Sequence, residues 1–547
     1  MIDSSPDIGK LGVHNQNFIV EERCIKSDFT KSQNAFFSSA EKKNKLSTNS
    51  EFQNILSSFI KREDGVYNFK RISTSIADGV EIHAYTLSSQ FWPIENQNDP
   101  TFLWNHRLII YKPDNVLHNT AFMYVNGGNN IDEKGNETFQ DSPEQLDFIG
   151  LAKRNNIIVV NLLNVPNQYI FFGDQASPLP KREDQILAYT YRKVMEDPAQ
   201  NAYLAGHLPM AKSIVKGMDA VEDIVSLEFR IEIKNFILSG ASKRGWAAWL
   251  AALEDERVSA LMPVVIDILN VRKNIHHICS VYGGTCPIAL KDYINEGVIE
   301  ALQSKNGEYL MDIEDPLSYL KPEYDKKYLN RLGIAKYIIN ASGDDFFTPD
   351  SSRFYFSMLP GKENYIRYIP NAAHYLLGGK IGSILKTDVV VQDAVERYLS
   401  LQLNKVALPQ VSWEFFPSQI VLHSSEIPQS VKLWRAYNED SRDFRCLQIN
   451  HSPYQKLSLW YFFAKKYIAS WFTEKLCDAQ YSSINIDYQC DGISQCVITA
   501  ELPKITRGFQ AAFLEIDYFL DDMNPFTITT EVNIAGVSDT PYKVTID

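Results

Sequence analysis

The chain has 547 residues, 45% hydrophobic and 22% charged, with a formal net charge of -13 at pH 7. That balance is an ordinary globular one and excludes wholesale disorder. The negative charge, with no dense Lys/Arg cluster to offset it, argues against nucleic acid as a partner, and no apolar stretch reaches the roughly 20 residues needed for a membrane span.

Residues 1–48 are rich in Ser, Asn, Lys and Asp with weak periodicity, which predicts a flexible N-terminal arm. The opening "MIDSSPDIGKLGVHNQNF" has neither the positive nor the apolar region of a secretory signal. It fits a trimmed signal, a cytoplasmic protein, or export by another route. From residue 49 the chain reads as short strands rich in β-branched and aromatic residues, "EIHAYTL", "RLIIYKP", "TAFMYVNGG" and "NIIVVNL", followed by the helical pattern "REDQILAYTYRKVMED". The alternation continues through "NFILSG", a helix near 243–254, "SALMPVVIDIL", a helical insertion over 272–330, "AKYIINASGDD" and "NYIRYIPNAAH". Strands alternating with helices predict an α/β domain over 49–405, a doubly wound, mostly parallel sheet covered on both faces. After residue 405 period-2 strands take over, as in "QCVITAEL", so a smaller all-β sandwich domain is expected over 408–547, joined through "ALPQVSW". No internal repeat points to a propeller or solenoid.

A serine nucleophile needs a base, an orienter for that base, and donors for an oxyanion. Ser242 in "NFILSGASKRGWAAW" follows a strand and precedes a helix, the position of a nucleophile elbow; its plainer reading is a helix N-cap. Lys243 N–H at the helix start is one candidate oxyanion donor, and Gly127, Gly128 and Asn129 in "YVNGGNN" offer a second. "IINASGDDFF" brings Asp344 and Asp345 to another strand end, and "IPNAAHYL" supplies His374, 30 residues after Asp344. Ser, Asp, His is the chain order of α/β-hydrolases. Asp344 is preferred as the acid, with Asp267, at the end of "MPVVID", and Asp345 behind it; Asp344 and Asp345 can also be read as turn residues. Arg244 stands where a G-x-S-x-G elbow has its second glycine, which arrives one residue later at Gly245.

Other features carry weaker expectations. His276 and His277 are adjacent and point apart, and no HExxH spacing makes a zinc site, so no metal and no cofactor is expected. "VYGGT" is a candidate lid hinge, while Trp246 and Trp249 read as core packing. Cys24, Cys279, Cys286, Cys446, Cys477, Cys490 and Cys496 form an odd set without CxxC spacing. The last four fit either disulfides or buried thiols.

"SGASKRGWAAWLAA", "VVIDILN", "SGDDFFTPDSSRFYF", "YIPNAAHYL", "VNGGNN" and "REDQILAYTYRK" together resemble the PhoPQ-activated pathogenicity-related protein family, which includes the autocrine proliferation repressor proteins. The resemblance runs from about residue 50 into the C-terminal strands, at "VKLWRAYNEDSRDFR" and "GFQAAFLEIDY". It implies an α/β-hydrolase fold, with the nucleophile, acid and base matched by Ser242, Asp344 and His374. It also implies export, and a virulence or host-directed role is one reading consistent with that.

The function expected is a cofactor-independent serine hydrolase acting on a small ester or peptide-like substrate, with the 272–330 insertion capping its pocket. One alternative is a dipeptidyl-peptidase-like exopeptidase in which Glu183 and Asp184 meet a substrate amino terminus. The other is a non-enzymatic secreted signalling protein that binds a protein or glycan through the C-terminal sandwich.

Overall fold

Burial along the strands sorts them before any pairing is considered. β1 (Asn68–Ala77) is almost wholly exposed, whereas β2 (Val80–Phe91) and β3 (Leu103–Pro113) largely alternate between buried and half-buried residues. β4 (Thr120–Val125), β7 (Val159–Leu162), β8 (Asn235–Ala241), β9 (Val258–Val264), β10 (Ala335–Ala341) and β11 (Asn364–Ile369) are buried at most positions, as strands covered on both faces must be. Between β4 and β7 the chain makes a hairpin, β5 (Gly128–Ile131) and β6 (Glu137–Asp141). The computed structural model describes residues 54–93, 102–142, 146–173, 179–284, 286–376, 387–446, 477, 479–490, 496–521 and 524–536. The arm expected over residues 1–48 lies outside them.

Among the described residues the central sheet runs β1-β2-β3-β7-β4-β8-β9-β10-β11, parallel from β7 to β11 and antiparallel from β1 to β7. β4 pairs with β7 on one side and β8 on the other, so the winding reverses there and leaves a crevice at the carboxyl ends of β4 and β8, where open α/β sheets place their sites. With this strand order the fold is that of an α/β-hydrolase. α1 (Ile55–Lys61), α4 (His207–Ile224) and α5 (Lys243–Glu254) pack together on one face. On the other, α2 (Phe148–Asn155) and α8 (Thr387–Leu403) share a core with the alternate residues Phe122, Tyr124, Tyr337 and Ile339. α3 (Asp184–Glu196) carries the "REDQILAYTYRK" pattern, and the insertion is helical as expected, with α6 (Val271–Val281) and α7 (Lys305–Glu314) its longest segments.

The C-terminal strands form two layers. β12 (Val411–Phe416), β13 (Gln419–Ser424) and β16 (Cys496–Glu501) make a three-stranded antiparallel sheet, with Cys496, Ile498 and Ala500 buried and the residues between them exposed. β14 (Ser430–Asn438), β15 (Ser482–Asn485), β17 (Phe509–Tyr518), β18 (Phe526–Thr529) and β19 (Asn533–Gly536) make the other. Ile420 and Leu422 of the first layer share one core with Leu433, Leu514 and Ile516 of the second. The second layer also continues the central sheet: β18 bridges to β11 at Ile366 and Thr529, and all four β18 residues are buried. An unpaired edge on β11 is thereby covered. Three disulfides, Cys279–Cys286, Cys446–Cys477 and Cys490–Cys496, are formed; Cys24 lies outside the described residues.

Candidate active site

Ser242 stands between β8 and α5 with φ 56° and ψ -130°, a left-handed conformation costing a non-glycine residue about 1–3 kcal/mol. The turn is tight enough that a Cβ on Gly245 would meet Gly240 O at 2.7 Å, and one on Gly240 would meet the Arg244 carbonyl carbon at 3.0 Å. Those contacts explain why small residues fall at 240 and 245, and why Arg244 is tolerated between them. Its side chain leaves the turn sideways, Nε donating to Val165 O at 2.6 Å and Nη2 to Glu183 Oε1 at 2.7 Å. Ser242 occupies the N-cap position of α5 but its side chain makes no capping hydrogen bond. Instead Ser242 Oγ lies 3.1 Å from His374 Nε2, and His374 Nδ1 lies 2.8 Å from Asp344 Oδ2.

Three strand ends therefore deliver three side chains into one hydrogen-bonded chain: β8 supplies Ser242, β10 Asp344 and β11 His374. Asp344 Oδ1 accepts from Phe346 N–H at 2.8 Å and Phe347 N–H at 3.2 Å. One carboxylate thus holds the turn through Oδ1 and meets His374 through Oδ2. Burial opposes the His374 imidazolium, yet Asp344, and then Asp345, more than offset it and hold the pKa above its ordinary 6.5. Asp345 itself is pushed up to about 6, by burial first and the Asp344 charge second.

Asp267 is held elsewhere. Tyr355 OH donates to its Oδ1 at 2.7 Å and Tyr368 OH to its Oδ2 at 2.5 Å, and burial pushes its pKa up to about 8. Both its oxygens are bonded to tyrosines.

The loop after β4 differs in detail from expectation. Gly127 N–H donates to Asn126 Oδ1 at 2.8 Å, while Gly128 and Asn129 are in the β5–β6 hairpin, opposite Asp141 and Gln140. Gln168 Nε2 donates to Gly128 O at 2.9 Å and Asn129 Oδ1 at 3.1 Å. The residue passed over in the sequence is Asn126, whose buried Nδ2 has no hydrogen-bond partner among the described residues. It follows Val125, which is in register with Gly240 on the neighbouring strand. Its position at the end of "FMYV" was the available signal, obscured by the two glycines after it. Lys243 is the first residue of α5, where backbone N–H groups lack helical partners.

Behind the elbow, Lys243 Nζ sits 3.0 Å from Glu183 Oε2 and 3.1 Å from Asp184 Oδ2. Burial opposes the ammonium but Asp184 and Glu183 hold its pKa above the usual range. Glu183 is likewise penalised by burial, and Arg244 and Lys243 reverse that and keep its carboxyl well below the usual range. Tyr293 OH donates to Asp184 Oδ1 at 3.0 Å. The two carboxylates considered for an incoming amine already have cationic partners inside the protein.

A cavity of about 50 Å³ opens beside Ser242, lined by α5, the 266–268 segment, the insertion and the Phe346–Phe347 turn. Trp246 is one of its walls, stacked at 4.5 Å on His207, while Trp249 is buried in the core. His277 Nε2 lies 3.1 Å from Asp350, which also takes Arg442, so this histidine ties the insertion to the chain before Cys446; His276 is exposed. The Gly283–Gly284 turn closes α6 and is spanned by Cys279–Cys286. Among the described residues no group of His, Cys, Asp and Glu could hold a metal ion, and no helix is long and apolar enough to cross a membrane.

Similarity to known proteins follows the same residues. The chain is 32% identical over 408 residues to autocrine proliferation repressor protein A of Dictyostelium discoideum, covering 72% of this chain and 77% of that one. Similar solved structures include acetyl xylan esterase 1 from a Thermoanaerobacterium species, with a TM-score of 0.38, 12% identity and coverage of 62% of this chain and 93% of that one. Acylaminoacyl peptidase of Pyrococcus horikoshii has a TM-score of 0.34 and 14% identity, over 63% of this chain and 43% of that one. These structural likenesses are too weak to add to what the strand order says. Residues 56–445, which include Ser242, Asp344 and His374, match the family described as PhoPQ-activated pathogenicity-related protein, and the chain belongs to that family.

Proposed function

We propose that the protein is a cofactor-independent serine hydrolase of esters or small amides, with Ser242 as nucleophile, His374 as base and Asp344 as its orienter. The observation that carries this reading is that Ser242 Oγ forgoes the helix cap open to it and lies 3.1 Å from a histidine whose other nitrogen is 2.8 Å from a buried carboxylate. Ser242 Oγ attacks the carbonyl carbon as His374 Nε2 takes its proton. Lys243 N–H at the start of α5 and the Asn126 amide stabilise the resulting oxyanion. As the tetrahedral carbon collapses, its bond to the leaving oxygen or nitrogen breaks and His374 returns the proton to that atom. Water, deprotonated by the same histidine, then hydrolyses the acyl-serine and releases the acid.

The three disulfides favour an oxidising compartment, which is consistent with export. Hydrolysis of p-nitrophenyl acetate tests the central reading: the native protein is expected to turn it over, and Ser242→Ala to fall to background. Equal rates for the two proteins would contradict it.

A further inference from the structure

The cavity beside Ser242 has a chemistry of its own. Its apolar wall is drawn from every part of the site, with Trp246 from α5, Ile266 after β9, Ile275 and Leu302 from the insertion, and Phe346 and Phe347 from the acid turn. Besides Ser242, five side chains of the lining carry polar atoms, Asp184, Tyr191, Lys243, Trp246 and Tyr293, and each has a partner within the protein. Lys243 Nζ is 3.1 Å from Asp184 Oδ2, Tyr293 OH donates to Asp184 Oδ1 at 3.0 Å, and Tyr191 OH lies 2.9 Å from His207 Nδ1. Trp246 Nε1 is turned away to donate to Glu314 O at 2.6 Å. A charged group entering this space would lose its hydration to apolar walls and to polar groups already committed to one another.

Size narrows the choice further. At about 50 Å³ the cavity is roughly a third of the apolar space, about 150 Å³, known to admit a benzene ring. Since Ser242 is itself part of the lining, a group bonded to Oγ through its carbonyl carbon borders this space.

We propose that the cavity is the acyl pocket and that the preferred substrates are esters of short, uncharged, aliphatic acids of about two to four carbons. This inference rests on the serine-hydrolase reading. The insertion thereby sets the chain length, because it contributes Ile275 and Leu302 to the pocket wall.

The test is a series of p-nitrophenyl esters with the full chain, from acetate through butyrate, hexanoate and octanoate, together with the hemisuccinate, which adds a charge. kcat/KM is expected to rise about fourfold per methylene up to butyrate, the gain of burying one CH₂, and to be at least tenfold lower for octanoate. The hemisuccinate is expected at least a hundredfold below butyrate. Ile275→Ala should raise the octanoate-to-butyrate ratio at least tenfold, and Leu302→Ala, on a different segment of the cap, provides the same readout if the first variant does not fold. Mass spectrometry after a small fluorophosphonate separates the two layers of the argument. Octanoate or hemisuccinate as the preferred ester, with Ser242 labelled, would overturn the acyl pocket while leaving the hydrolase reading intact. An unlabelled Ser242 in a protein inert to all five esters would overturn both.

Discussion

Cys446 touches the residue next to the proposed catalytic acid: its N–H donates to Gly343 O at 2.8 Å, and a Cβ on Gly343 would overlap its sulfur. Its disulfide partner, Cys477, has Sγ 3.9 Å from Asn371 O, three residues before His374. Gly343 N–H in turn donates to Ala372 O at 2.9 Å, so the acid turn, the histidine turn and the disulfide form one buried cluster.

Opening this cross-link should loosen the site as well as the fold. The Cys446–Cys477 bridge closes a 31-residue loop, a constraint of about 3–4 kcal/mol. A double Cys446→Ser, Cys477→Ser variant is expected to lose stability of that order in chemical denaturation. At temperatures where it is still folded, kcat should drop about tenfold or more, with a smaller change in KM. An unchanged kcat in the folded variant would show that the cluster does not position Asp344 and His374.

The pH dependence has a definite sign. The proposed base must be neutral to take the serine proton, and Asp344 and Asp345 hold the His374 pKa above 6.5 despite burial. Activity should therefore fall as pH drops through a midpoint above 6.5. Asp345→Asn, by removing one of the charges that favour the imidazolium, should move that midpoint down. A kcat/KM profile in which Asp345→Asn moves the acid limb upward would refute this assignment of charges.

Asp344 and Asp267 are separated by a paired comparison. Asp344→Asn is expected to reduce kcat about 10³–10⁴-fold, as loss of a base's orienter does, whereas Asp267→Asn should retain ester hydrolysis. Asp267 has a different signature. Its folded pKa of about 8 lies above the ordinary 3.8, so the stability it contributes is fully present below pH 4 and is lost as pH rises towards 8. Asp267→Asn should flatten the dependence of Tm on pH across that window. Loss of hydrolysis in Asp267→Asn at unchanged Tm would reverse the two roles.

Much of this was legible in the sequence because strand ends are. "NFILSG", "IINASGDD" and "YIPNAAH" each end a run of β-forming residues, and chain order then pointed to the three side chains that the structure brings together. The sequence ranked Asp344 first but held no physical ground to set Asp267 aside, since the two end adjacent strands and what separates them is side-chain direction. The tyrosines that engage Asp267 arrive from 88 and 101 residues away. The sheet's continuation through β18 was hidden for the same reason, because the bridge between Ile366 and Thr529 joins segments 163 residues apart. The exit of Arg244 towards Glu183 explains an elbow that departs from the usual glycine spacing, and it too depends on a partner distant in the chain.

Asn126 gives a prediction that the glycine-rich loop alone did not suggest. If its amide serves the oxyanion, Asn126→Ala should lower kcat about 10²–10³-fold with little change in KM. Asn126→Asp, which keeps the acceptor for Gly127 N–H but replaces the amide donor with negative charge, should be at least as damaging. Steady-state kinetics on acetate and butyrate esters checks both; full activity in Asn126→Asp would remove the residue from the mechanism.

The most direct measurement of the central claim is peptide-level mass spectrometry of the intact chain after reaction with a fluorophosphonate, run on the native protein, Ser242→Ala and His374→Ala. An activated nucleophile predicts one stoichiometric adduct on Ser242 in the native protein, no adduct at residue 242 in Ser242→Ala, and labelling slowed by several orders of magnitude in His374→Ala. Native protein left unmodified, or modified at another serine, would contradict the assignment and return Ser242 to the role of a residue that only starts a helix.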